Sequence, residues 1–111
     1  NAEQVFIADD GAYIACDDFG AYFISSESIR TGEGVAVSFA EDLTVDHVSV
    51  KNNVAVLSLG SRGLALYDVS NPLKPISKGI FDVGYVYKTY FWGDHILICT
   101  RSGLQVSKII L

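Results

Sequence analysis

A chain of 111 residues that is 50% hydrophobic and 19% charged has the composition of one ordinary globular domain, not of a disordered segment. Its formal charge is −5 and its eight basic residues are scattered, which excludes the phosphate-neutralising stripe that nucleic acids require. No apolar run approaches the roughly 20 residues needed to cross a bilayer, and no basic segment followed by an apolar stretch marks a targeting signal.

The first of three similar units, residues 1–43, opens with an apolar segment around Val5 and Ile7 and turns at Asp9-Asp10-Gly11. It continues through Tyr13 and Ile14 and turns again at Asp17-Asp18-Phe19-Gly20, ahead of the apolar run 21–24. Asp, Asn and Gly tolerate positive φ, so both sites read as hairpin loops between short strands. The stretch 25–34 then departs from the pattern of the next unit.

The second unit, residues 44–83, predicts four strands, at about 45–51, 54–59, 63–69 and 75–82, from turn residues that bound β-branched and aromatic runs. Its turns are Asn52-Asn53, the loop ending in Gly63, and Asp68-Val69-Ser70-Asn71-Pro72, where Asp and Asn bond to nearby backbone while Pro ends the strand. The third unit, residues 84–111, repeats the first two turns at Gly93-Asp94 and Gly103 and stops within its third strand.

Gly20, Gly63 and Gly103 lie 43 and then 40 residues apart, and a period near forty with several strands per unit is that of a β-propeller blade. The expected fold class is therefore all-β, a β-propeller fragment of about 2.7 four-stranded antiparallel blades in one continuous segment. The middle strands, such as "VAVLSL" and "HILIC", are apolar on both faces and so must be covered on both, as blades stacked face to face would cover them. The chain reads as the C-terminal part of a longer ring, with assembly from identical chains as the other way to complete one.

The stretch Ser61–Phe81 resembles the LVIVD-repeat family of β-propellers, on a pattern that Gly63, Leu64, Tyr67, Asp68, Val69, Ser70, Pro72 and Pro75 follow. That resemblance implies a bacterial or archaeal repeat protein, exported or displayed at the cell surface, and it brings no catalytic residues.

Candidate chemistry is sparse. Cys16, Leu59 and Cys99 occupy one repeat position by the 43 and 40 spacings, which sets the two cysteines too far apart for a disulfide, so two buried free thiols are expected. Asp9-Asp10 and Asp17-Asp18 cap opposite ends of one hairpin and cannot share a calcium ion. Neither His47 nor His95 has partners at metal-ligand spacing, and no nucleophile elbow or phosphate loop occurs, so no catalytic, metal or cofactor residue is assigned. The segment 85–95 gathers aromatic residues, of which Tyr87, Tyr90 and Trp92 are the candidate contacts for a partner.

Charge is uneven as well: residues 1–46 hold ten acids and one base, residues 47–111 three acids and seven bases. The reading that follows is a non-enzymatic repeat scaffold or binding module, its partners being the remaining blades or identical chains and a protein or glycan ligand. The alternative is an enzyme whose active site is completed by blades outside this chain.

Overall fold

A computed structural model describes residues 2–110. The chain folds as three antiparallel sheets in chain order, each an up-and-down meander. The first contains β1 (Gln4–Ala8), β2 (Gly11–Ala15), β3 (Ala21–Ser25) and β4 (Val37–Phe39), with the short helix α1 (Ser26–Thr31) between β3 and β4. The second contains β5 (His47–Lys51), β6 (Val54–Ser58), β7 (Leu64–Asp68) and β8 (Ile76–Phe81). The third contains β9 (Val86–Trp92), β10 (His95–Thr100) and β11 (Gly103–Lys108).

The turns form where the sequence expects them and for the expected reasons. Asn52 and Asn53 both take positive φ, 50° and 66°, closing the β5–β6 hairpin between the paired residues Lys51 and Val54. After β7, Asp68 Oδ1 accepts from the Ser70 N–H at 2.8 Å and Asn71 Oδ1 accepts from the Leu73 N–H at 3.1 Å. The corner glycines show what their lack of a side chain is for. A Cβ on Gly20 or Gly63 would run into the carbonyl of Ala40 or Phe81, so the backbone of the fourth strand's end lies directly against the corner. Gly103, the same corner of the third sheet, has nothing within 4 Å because no fourth strand lies there among the described residues.

The second sheet packs one face on the first sheet and the other on the third. Tyr13, Ala15, Ala21 and Phe23 of the first sheet meet Val48, Ala55, Leu57 and Tyr67 of the second. Val56, Leu64 and Leu66, on the second sheet's other face, meet Val86, Ile96 and Ile98 of the third. Counting back from each first hairpin makes Tyr13 the counterpart of Val56, and Phe23 that of Leu66. The same face is thus reused at both junctions. Contacts between sheets concentrate on the first strands, β1 with β5 and β5 with β9. Backbone bridges repeat there too: Asp17 exchanges hydrogen bonds with Val45, and Gly60 with Val86. A fully buried side chain such as Leu57 contributes about 1.5–3 kcal/mol, so the two junctions hold the stack together.

Two expectations need correction. The third unit does not keep a spacing of 40 throughout: its second corner is one residue shorter, with Thr100 opposite Gly103. Cys99 therefore pairs with Lys88 and corresponds to Ser58 and Ala15, one position short of Cys16. Both cysteines are free, and both are half-buried rather than buried. The stretch 25–34, whose sequence departs from the pattern of the second unit, holds α1 over Ser26–Thr31. Ser25 caps the helix by accepting from the Ser28 N–H, and Gly32 ends it at φ 70° with its N–H on the Ser28 carbonyl.

Candidate functional site

Where the first strands begin, the stack opens a cleft of about 530 Å³ lined by Glu3, Gln4, Asp46, His47, Tyr87, Lys88 and Tyr90. Three of these residues are counterparts. Gln4, His47 and Lys88 stand opposite Ala15, Ser58 and Cys99, the same step of each first hairpin, so the repeat itself brings three polar side chains to one place. Such positions on a packed strand would ordinarily be apolar.

Hydrogen bonds hold the three strands at this end. The Val48 N–H donates to Gln4 Oε1 at 2.8 Å, tying β5 to β1 through a side chain. Ser49 and Thr89 join their hydroxyl oxygens at 2.7 Å in a buried contact that ties β5 to β9. Between these ties sits the His47 ring, 94% buried, in an edge-type contact with the Tyr90 ring at 5.7 Å and 61°. His47 Nδ1 has no hydrogen-bond partner among the described residues, and neither has the Oγ of Ser58, the residue paired with it across β5 and β6.

Burial, and to a lesser extent the Lys88 ammonium, push the His47 pKa below its ordinary value, so the ring is neutral at pH 7. Asp46 shifts the other way. Burial raises its carboxyl pKa first, and the carboxylates of Asp17, Glu3 and Asp18 raise it further. The cleft thus sits in a negative field that Lys88 only partly offsets. At its margin, the Tyr85 and Tyr87 rings meet at 5.1 Å with their planes tilted by 50°, the Arg101 guanidinium lies 4.0 Å over the Tyr85 ring, and its Nε donates to the Tyr87 hydroxyl at 3.3 Å. This pins Arg101 and the two rings into one platform.

Of the aromatic residues singled out in the sequence, Tyr87 and Tyr90 line the cleft. Trp92 does not: it ends β9 at the hairpin, 75% exposed, four residues beyond Lys88. Glu3, Gln4, Asp46, His47 and Lys88 were missed as site residues. Polar residues at matching steps of successive first strands were the available signal, but it surfaces only when the units are aligned from their first hairpins.

Chemically the arrangement offers acceptors, at Asp46 and Glu3, beside flat aromatic faces. Such a surface takes a ligand that carries hydroxyl or ammonium donors on an apolar frame. No protein-family model matches the chain, and no curated protein is significantly similar to it.

Proposed function

We propose that the chain is a section of a β-propeller of the LVIVD-repeat type that serves as a non-enzymatic scaffold and binding module. The observation that carries the reading is the reuse of one face at both junctions, with contact concentrated on the first strands. Sheets joined at their first strands fan out around an axis, which is the arrangement of blades about a central channel. On that reading the first strands β1, β5 and β9 are the innermost, and the cleft at their beginnings is a mouth of the channel.

The ligand is a protein segment or a glycan. Its hydroxyl or ammonium groups meet Asp46 and Glu3, and its apolar faces lie on Tyr87 and Tyr90. Export to the cell surface, as the family resemblance suggests, suits a module of this kind.

The test is a nuclear magnetic resonance titration of the isotope-labelled chain against panels of oligosaccharides and of lysine-containing peptides. Saturable amide shifts confined to residues 46–47 and 87–90, lost in Tyr87→Ala and in Asp46→Asn, are expected. Shifts elsewhere, or none from either panel, would remove the binding role from the cleft.

A further inference from the structure

Among the described residues the stack ends in two uncovered faces, and the repeat identifies each of them. On the third sheet the outward counterparts of Val56, Leu64 and Leu66 are Leu97, Leu104 and Val106, the last two 64% and 59% exposed. On the first sheet the counterparts of Val48 and Val50 are Val5 and Ile7, which are 51% and 74% exposed. One end therefore presents the face that the second sheet uses toward its successor, and the other end presents the face used toward a predecessor. These are the two halves of a junction the molecule already makes twice.

Charge matches shape. Residues 2–40, which build the first sheet, carry seven acids and one base, whereas residues 84–110, which build the third, carry three bases and one acid. Two copies meeting first sheet to third sheet bring opposite potentials together, whereas either face meeting its own kind opposes like charges. Helix α1 packs on β2 and β3, while Val5 and Ile7 of β1, the strand through which sheets meet, stay exposed.

We propose that the two end faces dock on each other between copies of this chain, head to tail, and that two chains close the assembly. The inference rests on the reading of the sheets as propeller blades. Propellers have typically four to eight blades, so two copies of three sheets fit and three copies do not. Trp92 lies on the docking side of β9, being the counterpart of Lys51 in the second sheet, and its exposed indole becomes part of the junction.

Light scattering coupled to size exclusion tests this over a wide range of concentration. The expected mass is twice 12.0 kDa, moving toward the single chain as salt is raised or the protein is diluted, with a matching red shift in the emission of the one tryptophan. Ile7→Asp and Val106→Asp, both at exposed positions, are each expected to be monomeric with an unchanged circular dichroism spectrum. Mixing the two variants restores a two-chain species, because one intact first-sheet face then meets one intact third-sheet face. A wild-type chain that is monomeric at every concentration overturns the proposal, as does a dimer that survives either variant or variants that fail to recover on mixing. Titration of the cleft in monomeric Ile7→Asp separates the two questions, since the cleft lies at the other end of β1 and its ligand binding does not depend on docking.

Discussion

Alanine at the corner glycines should separate a corner that is covered from one that is open. Gly63 has φ 88°, and a Cβ there would overlap the Phe81 carbonyl oxygen and lie 3.0 Å from its carbon. Gly103 has φ 126° and open space around it. Both substitutions carry the cost of a side chain in a left-handed or glycine-only conformation, about 1–3 kcal/mol. Gly63→Ala must in addition displace the end of β8, where Leu64 pairs with Phe81. Overpacking costs about 1–3 kcal/mol, and each ladder hydrogen bond lost adds about 1 kcal/mol. Gly63→Ala is therefore expected to be more destabilising than Gly103→Ala by about 2–4 kcal/mol, a large share of the 5–15 kcal/mol typical of a domain. Gly20→Ala should behave like Gly63→Ala, because its Cβ would meet the Ala40 carbonyl in the same way. Urea unfolding followed by circular dichroism, with midpoints compared at constant slope, measures the difference. Equal losses at Gly63 and Gly103 would refute the reasoning, since they would mean that the third corner is covered like the other two.

Further predictions concern buried polar groups. Thr89→Val leaves the Ser49 hydroxyl buried without its 2.7 Å partner and should cost about 1–3 kcal/mol. Ser49→Ala combined with Thr89→Val should cost less than the sum of the two single changes, by about 0.5 kcal/mol or more in a double-mutant cycle. Burial, with a smaller contribution from Asp10, pushes the Tyr13 phenol up to about 12. The unfolded chain ionises this group near pH 10, so the folded state binds the proton more tightly, and stability is lost as pH rises from about 10 to 12. The loss is roughly 3 kcal/mol, and Tyr13→Phe should remove that part of the alkaline slope in urea midpoints measured across this range.

Much of the fold is legible locally. The four strands of the second unit lie within a residue or two of their expected bounds, because Asn52-Asn53, Gly63 and the Asp68–Pro72 turn act through their own backbone angles and nearest hydrogen bonds. Helix α1 was missed although its signals are local too: Ser25 and Gly32 cap a segment of only six residues, too short for an apolar periodicity to show. The register of β10 was misjudged because a one-residue change in the Thr100–Gly103 corner alters every comparison made from the glycines. Corners align one side of a sheet, whereas first hairpins align the other.

The candidate site was less legible. Tyr87 and Tyr90 stood out as part of an aromatic cluster, but nothing in the sequence joins His47, weighed there only as a metal ligand, to Gln4 until sheets stack. Backbone angle preferences and the alternation of apolar residues are properties of neighbouring positions, so the amino-acid order alone dictated strands, corners and the need for cover on both faces. Which side chains share the cleft depends on sheet-to-sheet packing between residues about forty positions apart. That packing is decided by how whole apolar faces fit together, and only the folded chain brings Gln4, His47 and Lys88 side by side.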